Sequence, residues 1–295
     1  MRFEYTTLGH VTIDVMADRS RRPGGGAFYS ALQAARLGLR TLIVTQGRPG
    51  DIEELLAPFA SELELRIRPA ARCTTLATSG TGGGRRQRLL SWAGEIAADV
   101  EVDTAVLHLA PVARETPSRW RGEAAFIGLT PQGLTRAWPA EGGELSQVAL
   151  DRSRVPASCD AIVLGERERA SCASLLSRTG ASRPRGQQRA RAASTHPLQH
   201  PGPVIALTAE GAATELHRSG RAIGAVPVPA TTEVVDDLGA GDVFAAAFFV
   251  ALHEGADPEQ AARFGHAAAA VRIGAEGPRA VGRRTEIDAR LRAGA

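Results

Sequence analysis

Residues 236–242 read D-D-L-G-A-G-D and run directly into V-F-A-A-A-F, a strongly helical segment. The glycines let the backbone turn tightly, and the first amides of a helix have no partner within it. With the helix dipole, the amides of Gly239, Ala240 and Gly241 therefore form a hole for an anion. Asp242 would lie beside that anion, and we expect it to accept a proton from an attacking hydroxyl. For the motif taken alone, an N-capping aspartate after a glycine turn is the favoured alternative.

Length and composition indicate one large α/β unit or two small domains. The chain has 295 residues, of which 43% are hydrophobic, enough for a sizeable core. It has no run of 18 apolar residues, and its first residues lack the charged and apolar regions of a signal peptide. The three cysteines form no CxxC pair, which fits a reducing compartment. We expect a cytoplasmic protein that does not bind a membrane.

The sequence contains no lysine and no asparagine, so all 35 basic residues are arginine. This excludes a Walker A loop, the β3 lysine of protein kinases and a pyridoxal phosphate Schiff base. Any phosphate chemistry must therefore depend on backbone amides, helix dipoles, arginine and metal. The arginines are spread along the chain, and no RNP, zinc-finger or basic-zipper pattern is present. We expect no nucleic-acid partner.

Short apolar runs alternate with helical patterns along the chain. The runs that suit buried parallel strands are residues 41–44, 105–109, 125–129, 161–164 and 204–208. Helices are predicted over residues 27–37 and 52–60 and from Ala240, Pro258 and Thr285. This order predicts a single domain, residues 1–295, with an α/β fold: a doubly wound, mostly parallel sheet flanked by helices, with a small β lid.

The lid and an insertion stand apart from this pattern. Residues 3–16 predict a strand that ends in a turn, and residues 74–78 and 86–92 predict a hairpin that is polar on one face. We expect a lid formed by about residues 15–24 and 72–95. Residues 177–203 have almost no apolar side chains and predict a disordered loop insertion.

Two signatures make the sequence resemble the ribokinase (PfkB) family of carbohydrate kinases. That family carries D-T-x-G-A-G-D, which this chain matches at residues 236–242 with Asp237 in place of threonine. The family also has a Gly-Gly pair that opens a helix ending in A-R-L-G, and residues 24–38 read G-G-G-A-F-Y-S-A-L-Q-A-A-R-L-G. The late helix at residues 261–270 matches in order and spacing. The resemblance covers the chain except for the insertion.

The resemblance implies transfer of the ATP γ-phosphoryl group to a hydroxyl of a sugar, a cyclitol (inositol-like) or a nucleoside. Asp242 falls on the family's catalytic base, and the amides of residues 239–241 would hold the phosphoryl group. Asp14 matches the aspartate that binds substrate hydroxyls, with a strand-end turn residue as the alternative. Gly25 and Gly26 match the pair whose backbone lies against the substrate.

On the donor side the sequence departs from the family. The motif N-x-x-E, which organises Mg²⁺ and its waters, keeps only Glu168. The nucleotide loop T-L-G-x-x-G becomes A-L-T-A-E-G, with Thr208 for the first glycine and Gly211 for the second. The helix position near the adenine is His266. We expect these four residues to bind ATP, with Mg²⁺ held by Glu168 through water.

On the acceptor side, Tyr29 replaces the asparagine that follows the Gly-Gly pair. With Phe28 it is expected to add aromatic surface near the substrate. Residues 131–136, P-Q-G-L-T-R, follow a predicted strand, so Gln132 or Arg136 could line the phosphate route, with a surface turn as an equal alternative. The arginines at 85, 86 and 88 could also meet a phosphate, although a solvated hairpin face is the favoured interpretation.

Two hypotheses about function follow. Asp242 and the glycines of the anion hole favour an active kinase whose partners are ATP and a small polyol, sugar or nucleoside. The missing asparagines and the insertion would instead fit a catalytically degenerate, sugar- or nucleotide-binding regulatory protein on the same fold. The unpaired edges of the lid strands predict a possible homodimer through the lid.

Overall fold

The computed structural model describes residues 2–80, 82–177, 202–229 and 233–294. The predicted insertion at 177–203 therefore lies almost wholly outside the described residues. The strands are β1 (Phe3–Leu8), β2 (Thr12–Val15), β3 (Arg21–Gly24), β4 (Thr41–Gly47), β5 (Glu64–Pro69), β6 (Thr75–Ser79), β7 (Arg86–Ser91), β8 (Thr104–Leu109), β9 (Ala124–Leu129), β10 (Arg136–Ala137), β11 (Gly143–Glu144), β12 (Ser146–Gln147), β13 (Ala161–Gly165), β14 (Val204–Ala209), β15 (Ala212–Arg218) and β16 (Arg221–Val226). The α-helices are α1 (Gly26–Arg36), α2 (Pro49–Leu56), α3 (Ala173–Leu176), α4 (Ala240–His253), α5 (Pro258–Ile273) and α6 (Arg284–Arg292).

A large sheet forms the centre of the molecule. Its strand order is β16-β15-β14-β13-β9-β8-β1-β4-β5. The seven strands from β14 to β5 are parallel, and β15 and β16 continue the edge as an antiparallel hairpin. The apolar runs predicted from the sequence supply its central strands, which are buried on both faces. The predicted mostly parallel α/β fold is confirmed.

The two faces of this sheet are covered differently. One face packs against α1, α4 and α5 through a core that includes Phe28, Phe244 and Phe248. Helix α4 is buried along residues 243–252, which explains why its sequence is apolar on all sides. The opposite face is covered by α3 and by irregular segments, with Ile96 among the buried residues. No helix of the described residues is long and apolar enough to cross a membrane.

A smaller five-stranded sheet lies beside the main one, with strand order β11-β7-β6-β2-β3. Residues 3–16, which we expected to be one strand, are two: β1 belongs to the main sheet and β2 to the smaller one. The chain changes sheets after Gly9, where any β-carbon would overlap the Ala110 carbonyl. The smaller sheet buries Leu76 and Leu89 against residues 112–113. One face of the predicted hairpin is therefore packed against the body.

Candidate active site

The residues of both signatures meet in one cleft at the carboxyl ends of the parallel strands. Strand β2 carries Asp14, and helix α4 carries Asp242. A β-carbon on Gly26 would lie 2.8 Å from Oδ1 of Asp242, and one on Gly24 would overlap the Asp14 carboxylate. Gly25 has a φ of +89° and backs directly onto the His10 carbonyl, so only glycine fits there. The carboxylates of Asp14 and Asp242 thus lie against the backbone of residues 24–26, which carries no side chains.

Asp242 lies in the first turn of α4, and its carboxylate is only partly exposed. Burial, with a smaller contribution from the charge of Asp14, raises the pKa of Asp242 to about 6 against the opposing charges of Arg136 and Arg85. Ser30 of α1 donates a hydrogen bond to the Asp242 carbonyl at 3.1 Å. A carboxylate with this pKa is ionised at neutral pH and is a stronger base than an ordinary aspartate.

Asp14 is 2% exposed, and its Oδ1 accepts a hydrogen bond of 2.7 Å from the Thr12 hydroxyl. Burial raises the pKa of Asp14 to about 6 against the opposing effects of the Thr12 hydrogen bond and the charges of Arg136 and Arg85. The hydrogen bond orients the carboxylate and leaves Oδ2 facing the glycine backbone. This arrangement can accept hydrogen bonds from hydroxyl groups of a small molecule.

The turn before α4 is shaped by Gly239, which has a left-handed φ of +81°. Its Cα lies against the Tyr29 ring so closely that a β-carbon would overlap the ring. Tyr29 is 1% exposed and Phe28 is fully buried, so neither offers the open aromatic surface that we expected. Tyr29 instead supports the turn from the core side. The Ala240 amide donates to the Asp237 carbonyl at 3.2 Å.

Arg136 is a buried cation at the centre of the cleft, 9% exposed. Its guanidinium donates to the Val112 carbonyl at 3.0 Å and to Oε1 of Gln87 at 2.7 Å. Burial lowers the pKa of Arg136, whereas nearby carboxylates, Glu168 first and then Asp242, raise it. From the sequence, Arg136 was only one of two residues that could line the phosphate route. Gln132, the other option, is exposed.

The tip of the β6–β7 hairpin reaches the turn before α4. The Gly82 amide donates to Oδ2 of Asp237 at 2.8 Å, and the Arg85 guanidinium forms an ion pair with the same carboxylate. Arg167 donates to the Gly82 carbonyl from the opposite side. Asp237, which stands where the family has threonine, therefore joins the smaller sheet to the turn before α4, residues 237–240, which is the expected anion-binding turn.

The predicted donor-binding residues lie along two adjacent strands. Gly165 of β13 pairs with Thr208 of β14, which brings the turn that carries Glu168 beside the loop that ends at Gly211. Glu168 is 5% exposed and accepts a hydrogen bond of 3.0 Å from the Gly165 amide. Burial raises the pKa of Glu168, although that bond and the charge of Arg136 oppose the rise. Gly211 has a φ of +71° with open space around it.

His266 lies on α5 and is 7% exposed. Its ring packs edge-to-face against Phe244, with 5.1 Å between the ring centroids. Burial lowers the pKa of His266 to about 4, so the imidazole is neutral at physiological pH. Its Nε2 is buried and has no hydrogen-bond partner among the described residues. A contact with a nucleotide at this position stays a prediction.

Magnesium fits this site only as an ion that is bound jointly by the protein and by the phosphates of the phosphoryl donor. The described part of the chain contains no group of three or more acidic, histidine or cysteine side chains that could hold a metal. Mg²⁺ keeps several waters and is usually bound by one or two carboxylates together with substrate phosphates. The Glu168 carboxylate, with one oxygen bound to an amide, fits such a role.

Sequence reasoning missed the residue that joins the two sheets. Glu115 is 1% exposed, and its carboxylate accepts hydrogen bonds from the amides of His10 at 2.9 Å and Ala113 at 2.7 Å. It fixes the link between β1 and β2 against the loop after β8. Nothing in the local sequence distinguishes this glutamate from an exposed one.

This geometry suits an α/β phosphotransferase, because a helix amino terminus can attract phosphate and the carboxylate in its first turn could take a hydroxyl proton. Residues 147–284 match the pfkB family carbohydrate kinases. Together with both signatures in one cleft of the confirmed fold, this match supports a ribokinase/PfkB carbohydrate kinase. No curated protein sequence matches the chain.

Solved structures with the same fold match almost the whole chain. A pyrophosphate-dependent kinase of the ribokinase family, complexed with a pyrophosphate analogue and myo-inositol, has a TM-score of 0.70 at 20% identity and covers 97% of this chain and 99% of its own. Arabidopsis thaliana ribokinase with ribose and ATP has a TM-score of 0.66 at 16% identity and covers 99% of each chain. A nucleoside kinase from Methanocaldococcus jannaschii has a TM-score of 0.67 at 14% identity, with 99% of each chain covered. At these sequence identities, the comparison shows that this chain and the solved structures share a fold.

Proposed function

We propose that this protein is an ATP-dependent kinase that transfers the γ-phosphoryl group to a hydroxyl of a small polyol, such as a sugar, a cyclitol or a nucleoside. The observation that carries the proposal is the position of Asp242. Its carboxylate, with a pKa raised to about 6, lies at the amino terminus of α4 and directly against Gly26. A base, an anion hole and a side-chain-free backbone therefore meet at one point.

In the proposed reaction, Asp14 binds a hydroxyl of the acceptor and holds a second hydroxyl against Gly25 and Gly26. Asp242 takes the proton of that second hydroxyl. At the same time the hydroxyl oxygen bonds to the γ-phosphorus, and the bond from the γ-phosphorus to the leaving diphosphate oxygen breaks. The amides of Gly239 and Gly241 stabilise the charge on the transferring group, whereas the Ala240 amide already donates to the Asp237 carbonyl.

Because the chain contains no lysine, two arginines supply the positive charge of this site. Arg136 and Arg85 both lie close enough to Asp242 to lower its pKa. The charge of these two arginines offsets the repulsion between Asp242 and a phosphate that enters the cleft. Magnesium, held by the donor phosphates and through water by Glu168, would supply further positive charge when bound.

The smaller sheet is proposed to act as a lid. It packs on the body through Leu76 and Leu89 and touches the anion-binding turn through its hairpin tip. A closed lid excludes water from the phosphoryl group and so limits hydrolysis of the donor. Leu90, on the outer face of β7, is 49% exposed, which fits a homodimer formed through the lid. Light scattering that finds only monomer would contradict the dimer.

The test of the function is a panel of acceptors and donors. Purified protein with Mg²⁺ is incubated with ribose, myo-inositol or a nucleoside, and with ATP or pyrophosphate, because one of the matched folds belongs to a pyrophosphate-dependent kinase. Phosphorus NMR then detects the phosphomonoester product. We expect ATP-driven transfer to at least one acceptor, and none in Asp242→Asn. Binding of a sugar or nucleotide without turnover in any combination would favour the regulatory hypothesis instead.

A further inference from the structure

Arg272 is a fully buried arginine, with an exposure of 0%. It lies in the last turn of α5, directly behind the turn that opens α4. Four of its five N–H groups have acceptors there. Nη1 donates to the carbonyls of Asp236 and Ala275, both at 3.1 Å, and Nη2 donates to Oδ2 of Asp236 at 3.0 Å and to the Leu238 carbonyl at 2.7 Å.

The Asp236 carboxylate completes this cluster. Its Oδ1 accepts the Leu238 amide and its Oδ2 accepts the Gly277 amide, both at 2.9 Å. Burial alone would raise the pKa of Asp236, but these two amides and Arg272 hold it below its ordinary value. Only Nε of Arg272 lacks a partner among the described residues, so the charge pair is hydrogen-bonded at all its other positions, which offsets much of its desolvation.

The short bond to the Leu238 carbonyl has a consequence for the site. That carbonyl and the Gly239 amide belong to one peptide group, which is planar and trans, so they point in opposite directions. Holding the carbonyl toward Arg272 therefore directs the Gly239 N–H away from the core, to the side of the turn where the helix amino terminus opens. A cation on the carbonyl also polarises the peptide and strengthens its N–H as a donor.

Tyr29 adds a second restraint on the same peptide. Its ring lies against the Gly239 Cα, and the Arg272 guanidinium carbon is 5.4 Å from the ring centroid. The guanidinium and the ring together leave the turn few alternative conformations. A preorganised donor costs no reorganisation at the moment of reaction, which is the main way in which such sites accelerate transfer.

We propose that Arg272 is a positioning residue for phosphoryl transfer: from the core side, it orients the Gly239 amide toward the transferring phosphoryl group. This inference rests on the proposed function of the cleft. Arg272 does not touch a substrate, and its effect acts through the Leu238–Gly239 peptide.

The test uses two variants of the full chain. Arg272→Ala removes the guanidinium, and Arg272→Met keeps much of the side-chain volume, so that folding is more easily retained. For folded variants we expect kcat to fall about 100-fold, as for the loss of one oxyanion-hole donor, while KM for the acceptor changes by less than about threefold. Guanidinium chloride should restore part of kcat in Arg272→Ala, whereas urea at the same concentration, which has the shape without the charge, should not.

Arg36→Ala is the matched control. Arg36 also binds a carboxylate, that of Glu62, and two backbone carbonyls, but it does so at the far end of α1. We expect this variant to lose stability and to keep kcat. Any folded Arg272 variant with wild-type kcat would overturn the inference, as would equal rescue by urea. Failure of both Arg272 variants to fold would assign the residue to the core alone and overturn it equally.

A binding measurement separates this inference from the proposed function. Calorimetry with inorganic pyrophosphate reports on the anion-binding turn without turnover, and we expect weaker binding in Arg272→Met. A wild-type protein that binds pyrophosphate but phosphorylates no acceptor would refute the proposed function only. Unchanged pyrophosphate affinity in the folded variant, beside normal wild-type turnover, would refute the inference only.

Discussion

A β-carbon at Gly26 would lie 2.8 Å from Oδ1 of Asp242, closer than real side-chain contacts allow. This contact joins the two sequence signatures, because Gly26 opens α1 and Asp242 lies in the first turn of α4. It also leaves the space in front of the carboxylate free of side chains. In the proposed reaction that space holds the acceptor hydroxyl.

The first prediction is that Gly26→Ala lowers kcat at least about 100-fold and leaves the protein folded, because the new methyl group displaces the Asp242 base. Gly26 is within a helix, where alanine is favoured by roughly 1 kcal/mol, so no backbone strain arises. Gly50→Ala is the matched control, since Gly50 also lies in a helix and its β-carbon would meet open space. Circular dichroism and initial rates on both variants check the prediction. Normal turnover in Gly26→Ala would contradict it.

The second prediction is that Asp242→Asn lowers kcat by about 10²–10⁴-fold, the usual contribution of a general base. An amide has the same shape but cannot take the proton. Binding of ATP, measured by calorimetry, should change little. Asp257→Asn is the control: Asp257 caps α5 through the Glu259 and Gln260 amides, and asparagine caps equally well. Full turnover in Asp242→Asn would remove this residue from the mechanism.

The third prediction concerns pH and activity. The pKa of Asp242 is raised to about 6 by burial, and the base must be ionised to act. We expect kcat/KM to be level above this pH and to fall below it by about tenfold per unit for each carboxylate that must be ionised. Burial also raises the pKa of Asp14 to about 6, so the acid limb belongs to the pair. A profile that stays flat down to the ordinary aspartate range would exclude a buried carboxylate as the base.

The same shift gives a fourth prediction, for stability. The pKa of Asp242 is about 6 in the native state against an ordinary 3.8, so between these values the folded protein holds more protons than the unfolded chain. Ionisation therefore costs stability as the pH rises through this window. Asp242→Asn should have a higher Tm than the wild type above pH 6, and the difference should vanish below the ordinary pKa of 3.8. Thermal unfolding across this range measures it, and a variant that is less stable at neutral pH would contradict it.

Much of the fold could be predicted because its strands are local patterns. The apolar runs that became β8, β9, β13 and β14 differ from their predicted bounds by at most one residue at either end. The split between β1 and β2 could not be predicted, since it depends on the Glu115 carboxylate, far away in sequence, accepting the His10 amide. The β15–β16 hairpin was also missed.

For the site, the motifs predicted which residues lie together in the cleft. They did not predict the buried side chains that hold those residues in position. Asp14 and Asp242 both lie against the glycine backbone of residues 24–26, as the resemblance implied. Arg136 and Arg272 look like any other arginine in a sequence with 35 basic residues, and only burial among long-range partners distinguishes them. Tyr29 was wrongly expected to offer open aromatic surface, because sequence does not tell which face of α1 the core covers.

The last prediction concerns the contact between the lid tip and the anion-binding turn. The Arg85 and Asp237 side chains are 20% and 22% exposed, so their ion pair is partly solvated and worth on the order of 1 kcal/mol. Such a contact can hold the tip closed and still release it for a ligand. Asp237→Thr removes the acceptor of both Arg85 and the Gly82 amide and restores the residue of the family pattern. The lid should then open more often and admit water to the bound donor.

We therefore expect Asp237→Thr to raise ATP hydrolysis in the absence of acceptor several-fold, and Arg85→Gln to do the same. Asp237→Thr already removes the ion pair that Arg85→Gln removes, so the double variant should be no more active in hydrolysis than Asp237→Thr alone, a non-additivity that a double-mutant cycle measures. Arg88→Gln, on the exposed face of the same hairpin, is the control and should keep hydrolysis at the wild-type level. Additive effects of the two substitutions would mean that Arg85 and Asp237 act independently, and unchanged hydrolysis in Asp237→Thr would mean that this contact does not hold the lid.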